Sequence, residues 1–146
     1  MFTNKIDEFV PLKYWRQQDT DILIFKDYLI NIEGKVYSTK RNKYLKPYKV
    51  VNGYVGISLT SDTIKKELSE YVNKETCKTF LLHKAVACTF LENPDRKKYT
   101  CVDHIDKDRS HYHANNLEWV THSENSRRRY MNLNPNQLYL FKDEKR

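Results

Sequence analysis

No apolar run in this sequence reaches the roughly 18 residues needed to cross a bilayer, which excludes a helical membrane span. The opening stretch, MFTNKIDEFVPLKYW, is interrupted by acidic and polar residues and has no signal-peptide core. A soluble, cytoplasmic protein with no membrane partner is therefore expected. Cysteine is scarce: Cys77, Cys88 and Cys101 form an odd set, and no two have the C-x-x-C spacing. That pattern argues against a disulfide framework and a four-cysteine zinc site. It fits buried free thiols in a reducing compartment. Low-complexity tracts, internal repeats and an interdomain linker are also absent from the sequence.

What the chain does have is positive charge and aromatic residues. Its 146 residues are the size of one ordinary domain. A chain of that length buries roughly 68–70% of its unfolded surface and needs no covalent staple. The net charge of +7 and pI of about 9.2 favour a polyanionic partner. On charge alone, a solubilising surface excess is the competing reading.

Residues 1–26, with Pro11, Trp15 and the apolar run Ile22 to Phe25, read as an N-terminal arm. Residues 27–75 read as a region rich in β-hairpins. Tyr28, Ile30 and Ile32 alternate as a half-buried strand requires, Glu33-Gly34 turns the chain, and Val36-Tyr37 starts the return. Asn52-Gly53 is a two-residue hairpin signal, because a type I′ turn needs positive φ at both positions. It lies between strands expected at Tyr48–Val51 and Tyr54–Leu59. Ile64, Leu68, Tyr71 and Val72 recur at helical spacing after Ser61 or Asp62, which predicts an exposed helix over 61–75, with a long polar excursion within a hairpin as the alternative. Thr79–Leu82 predicts a strand. His83–Leu91 predicts a buried helix ended by Asn93-Pro94, with His83 as a packed or capping residue.

The chemistry concentrates in residues 101–129, CVDHIDKDRSHYHANNLEWVTHSENSRRR. Cys101-Val102 leads a strand into Asp103-His104. A polar loop runs to Asn115, and Leu117–Val120 forms the return strand. Thr121 and Glu124 have capping-box spacing, so a helix should start there and carry Asn125 in its first turns. The order is strand, loop, strand, helix, a ββα unit. The oxygens of Asp103 and Asn125 are hard ligands suited to Mg2+, which is normally held by one or two protein groups plus phosphate and water. His104 is then placed to act as general base on a water. Asn116 is expected to accept its other imidazole N–H and fix the tautomer.

The pattern D-H-I-D-x-D…N-N-L-E-W-V-T…E-N resembles the HNH (ββα-metal, His-Me finger) endonucleases, most closely the homing and free-standing enzymes of phages. The resemblance implies an α+β fold, with short antiparallel hairpins followed by a ββα-metal unit at 76–132 and a tail at 133–146. It also implies a DNA endonuclease with one divalent metal, Mg2+ as the expected ion and Mn2+ as the alternative. His104 and Asn116 would be catalytic, and Asp103 and Asn125 metal-binding. Cleavage would leave 5′-phosphate and 3′-hydroxyl ends, nicking as a monomer or breaking both strands as a homodimer. Upstream, Tyr28–Ser38 is similar to the Y-x-V-S-x-x-G-x-V-x-S element that precedes many such domains. Leu82–Phe90 with Asn93-Pro94 is similar to their V-H-R-L-V-A…F…N-P helix.

Two departures stand out. Lys107 occupies a position that is usually Gly, and His111-Tyr112 replace an Asn pair. No helix-turn-helix pattern comes after the unit, so a partner protein is an alternative source of site recognition. Arg127, Arg128 and Arg129 adjoin the expected metal site and read as phosphate contacts rather than a solvated face. Lys35, Lys40, Arg41, Lys43 and Lys46 sit on or near the hairpins and are expected to bind the DNA backbone. Trp119 reads as packing. The spacing of His104, His111, His113 and His122 matches no standard zinc finger. The Asp103, Asp106, Asp108 series lacks the glycine and distal glutamate of a calcium loop. The reading from another class is a catalytically silent DNA-binding module on the same scaffold.

Overall fold

A computed structural model describes residues 8–15, 21–60 and 77–133 of the chain. The first sheet runs in the order β1 (Val10–Tyr14), β2 (Leu23–Ile30), β3 (Val36–Ser38), β4 (Lys43–Tyr44), with antiparallel neighbours. Along β2 the buried positions are first Leu23 and Phe25, then Tyr28 and Ile30. The parity changes because Leu12 pairs with Phe25 while its neighbour Pro11 pairs with Leu29. A bulge of this kind adds residues to one strand and turns the later side chains to the other face. Pro11 lies at the irregularity on an edge strand, where a missing N–H is tolerated.

Residues of the expected N-terminal arm form β1 and the start of β2. Leu23–Phe25 open β2, so the division at residue 26 falls inside a strand. The second sheet likewise spans the division at residue 75. It has the order β5 (Tyr48–Lys49), β6 (Val55–Thr60), β7 (Cys77–Leu81). The helix predicted over 61–75 lies outside the described residues. At the β5–β6 turn, Val50 N–H donates to Tyr54 C=O at 2.8 Å, leaving Val51, Asn52 and Gly53 as a three-residue loop. Asn52 and Gly53 both take positive φ, 63° and 80°, as expected. The loop is one residue longer than the predicted two, and the strand before it ends at Lys49, two residues short of Val51.

Helix α1 (Leu82–Phe90) starts one residue earlier than predicted and buries Leu82, Ala85 and Val86 completely. It packs on β1, where Thr89 Oγ1 accepts from Lys13 N–H at 3.0 Å. Phe80 anchors the junction, with Tyr14 edge-on at 4.8 Å and Phe25 at 5.5 Å between ring centres. The ββα unit comes next, as predicted: β8 (Cys101–His104) pairs with β9 (Leu117–Val120), and α2 spans His122–Leu133. Thr121 Oγ1 caps α2 by accepting from Glu124 N–H at 3.1 Å. Ala114 and Leu117 join the same core as Phe25, Ile30 and Ile57. The fold is α+β. Trp119 is a packing residue, stacked on Trp15 at 4.9 Å and donating Nε1–H to Leu91 C=O. No described helix is long and apolar enough to cross a membrane.

Candidate functional site

Strand β8 ends in Asp103-His104, and adjacent strand residues face opposite ways. His104 turns inward and is only 4% exposed. Asp103 turns towards α2. The register sets Asp103 opposite Glu118, two like charges that would repel across the ladder. Arg128 from α2 resolves this. Its Nη1 lies 2.8 Å from Asp103 Oδ2 and also bonds Glu118, while its Nε donates to Glu124 Oε1 at 3.0 Å. Lys107 Nζ approaches the same Asp103 oxygen at 3.3 Å.

The loop after His104 is fixed by Asn116. Its Oδ1 accepts from Asp106 N–H at 3.1 Å. Its Nδ2 donates to Asp106 Oδ1 at 2.9 Å and to His111 C=O at 2.8 Å. No hydrogen bond joins it to His104, contrary to the tautomer-fixing contact expected from the sequence. Lys107 turns the chain at φ 67°, the left-handed region that favours glycine. That explains why the resemblance places Gly there. Asp106 is bound at Oδ2 by His111 Nδ1 at 2.6 Å. The His111 bond, then the Asp108 and Asn116 donors, hold its carboxyl down to about 2. Asp106 and Asp108 are thus committed to the loop's own bonds, and His113 Nδ1 accepts from Asn115 N–H. Among the described residues, no three His, Cys, Asp or Glu side chains gather at metal-binding distance.

An open cleft collects Tyr54, Val102, Asp103, His104, Lys107, Arg109, Asn125, Arg128 and Arg129. Four cations (Lys107, Arg109, Arg128 and Arg129) face one carboxylate there, so the cleft attracts anions. Asp103, His104 and Asn125 meet in it, as anticipated; Asn116 does not line it. The arginine run divides. Arg128 is bound to three carboxylates and Arg127 pairs with Glu124, whereas Arg129 lines the cleft exposed, with no acidic partner among the described residues. Lys35 pairs with Glu33 at 3.4 Å and Lys40 with Asp27 at 3.3 Å. Arg41, Lys43 and Lys46 are exposed, and none of these five lines the cleft.

Three residues of the site escaped sequence reasoning: Tyr54, His83 and Arg109. Tyr54 comes after the hairpin turn and stacks on His83 at 5.0 Å. His83, at the start of α1, sits 4.8 Å from His104 between ring centres. Arg109 lies over the Tyr54 ring at 4.8 Å and donates Nη1–H to Asn52 C=O at 2.8 Å. Burial, then the neighbouring His104 and Lys84, push the His83 imidazole down to about 3. Burial also lowers His104, against the opposing pull of Asp103, Asp106 and Asp108. Both rings are therefore neutral near pH 7.

No protein-family profile matches the chain. Ninety-nine residues, 68% of the chain, are 35% identical to an uncharacterised HNH endonuclease, L245, of Acanthamoeba polyphaga mimivirus. A second mimivirus protein of that description, L247, is 35% identical over 95 residues. In structure, the chain is similar to the HNH homing endonuclease I-HmuI, a DNA-binding and DNA-cleaving protein, at a TM-score of 0.57 and 27% identity, over 82% of this chain and 63% of that one. The chain belongs to the HNH family. It spans 26% and 21% of the length of the two mimivirus relatives. HNH endonucleases generally depend on a divalent metal, and the HNH unit here has the donors for one. A carboxylate, Asp103, and a side-chain amide, Asn125, open onto the same cleft, and both supply the hard oxygens that Mg2+ or Mn2+ prefers.

Proposed function

We propose that this HNH chain is a metal-dependent endonuclease that hydrolyses phosphodiester bonds in DNA. The observation that carries the reading is a neutral, buried histidine, His104, at a cationic cleft that Asp103 and Asn125 also line. His104 Nε2 is buried without a partner. That leaves Nδ1 as the nitrogen available to the cleft. As general base, Nδ1 takes the proton from a water attacking phosphorus, a contribution of ~10²–10⁴-fold. Asp103 and Asn125 would hold the divalent ion, Mg2+ or Mn2+, whose chemistry is to stabilise charge on the phosphate and on the departing 3′ oxygen. Arg129 and Arg109 hold the phosphate backbone in the cleft. Asn116 acts further out, by fixing the loop between His104 and His111. Lys35, Lys40, Arg41, Lys43 and Lys46 supply weaker backbone attraction from the first sheet. A single site of this kind cuts one strand, so a monomer nicks and a homodimer breaks both strands. Products carry 5′-phosphate and 3′-hydroxyl ends, and the setting is the cytoplasm, that of the host cell where the gene is phage or virus encoded.

The deciding experiment is a supercoiled-plasmid assay of the wild type and His104→Ala with Mg2+, Mn2+ or EDTA. Metal-dependent relaxation by the wild type alone supports the reading. Tight DNA binding with no cleavage in any metal would overturn it in favour of a DNA-binding module.

A further inference from the structure

A neutral imidazole that acts through Nδ1 must carry its proton on Nε2, and a buried N–H needs an acceptor. In His104 that nitrogen is buried and has no partner in the protein. Asn116 cannot readily serve, because its Oδ1 takes the Asp106 amide and its Nδ2 bonds Asp106 and His111. One other buried side-chain nitrogen is unpartnered among the described residues, Nδ1 of His83. It belongs to the ring that packs against His104, with centres 4.8 Å apart and planes at 49°. Tyr54 stacks on His83, 22° from its plane, and also lies 6.0 Å from His104, so the three rings form a triangle, with Arg109 over Tyr54. His83 is 6% exposed and fixed at the first turn of α1, whose neighbours Leu82 and Ala85 are fully buried. The ring therefore has little freedom to turn elsewhere.

We infer that His83 is the positioning residue of His104: its Nδ1 lone pair accepts the Nε2–H of His104 across one water, and so leaves His104 Nδ1 free for the cleft. Two orphaned polar atoms on adjacent buried rings each cost desolvation, and one water bridging them satisfies both. A bridging water in such a polar pocket has the same effect as a direct bond. In this arrangement the His83 proton sits on Nε2, which leaves the lone pair on Nδ1. The role falls to α1, outside the ββα unit, and Tyr54 of the β5–β6 hairpin, held by Arg109 from the loop after His104, supports it. The inference rests on His104 being the base, but its structural core, the tautomer of His104, can be measured without any catalysis.

The test is imidazole nitrogen NMR of the full chain, wild type and two variants, His83→Phe and His83→Asn. Phe keeps a ring in the stack and removes the acceptor; Asn returns an oxygen near the place of Nδ1. The wild type should show His104 as a single neutral form protonated on Nε2. His83→Phe should give a mixture of tautomers, and His83→Asn should restore the single form. In single-turnover plasmid nicking, His83→Phe should lose roughly 10–100-fold in rate with DNA affinity unchanged, and His83→Asn should recover most of it. Protonation of wild-type His104 on Nδ1, or an unchanged tautomer in His83→Phe, would overturn the proposal. The wild-type spectrum decides the question even if a variant fails to fold. Full cleavage by His104→Ala would instead remove the base assignment while leaving the NMR result standing.

Discussion

The Nη1 of Arg128 lies 2.8 Å from Oδ2 of Asp103, and the same guanidinium also bonds Glu118 and Glu124. An arginine held this way is a structural cation. Its loss leaves Asp103 and Glu118 facing each other across the β8–β9 ladder. Arg128→Ala should therefore lower stability by about 1 kcal/mol, since the network is partly exposed. Urea denaturation measures this. The log–log salt slope of DNA binding should be unchanged in Arg128→Ala but smaller by about 0.9 in Arg129→Ala. Equal slope changes in both would return Arg128 to the role of a phosphate contact.

His104→Ala should cut the nicking rate by ~10²–10⁴-fold, the usual contribution of a general base. Gel-shift affinity for the same DNA should hold, because His104 is buried and neutral. A parallel fall in affinity would indicate that the cleft, rather than the base, had been lost.

Asn125→Ala should weaken divalent-ion binding at least tenfold, about 1.4 kcal/mol. Calorimetric titration of Mn2+ into the protein reads this without DNA. Asn125→Asp should keep or tighten binding, because it retains an oxygen and adds charge. Identical isotherms for wild type and Asn125→Ala would exclude Asn125 as a ligand.

His83 makes stability depend on pH in a definite direction. Its pKa is about 3 in the folded chain, against an ordinary value of 6.5. Above pH 6.5 neither state binds the proton and stability is whole. As pH falls from there towards about 3, only the unfolded chain binds it, so stability drops by up to about 1.4 kcal/mol per pH unit. His83→Phe should remove this component. Denaturation curves of the two proteins at a series of pH values should diverge below pH 6.5; parallel curves would mean His83 titrates normally.

Much of this architecture could be read from the sequence, for identifiable reasons. The ββα unit announced itself through Asp103-His104, the Thr121 cap and the spacing to Asn125, all local signals. Asn52-Gly53 marked a hairpin, but its three-residue loop depends on the Val50–Tyr54 bond, which composition does not encode. The extent of β2 was hidden because the bulge opposite Pro11 breaks its alternation. Tyr54, His83 and Arg109 come from three separate segments and meet only through tertiary packing. His83 is packed, as a histidine at a helix start usually is, but the rings it packs against could not be read from the sequence. The acidic partners of Arg128 were hidden too, because a run of like charges conceals which member faces carboxylates.

Gly34 provides a test of how the two halves join. It takes φ +85°, and a Cβ there would come within 2.4 Å of the Tyr112 ring. Gly34→Ala should cost about 1–3 kcal/mol, from overpacking and backbone strain together. A melting temperature equal to that of the wild type would show that Tyr112 can move aside freely.

Beside that contact, Ala114 N–H donates to Ile32 C=O at 2.9 Å, so the β2–β3 turn is bonded directly to the end of the loop after His104. The HNH hairpin is consequently not a portable cassette. Grafted onto another scaffold without the β2–β3 turn, β6 and α1, it would lose the support under its loop and the ring behind its histidine. Evolutionary or engineered exchange of such a unit should then proceed in blocks that begin well upstream of Cys101.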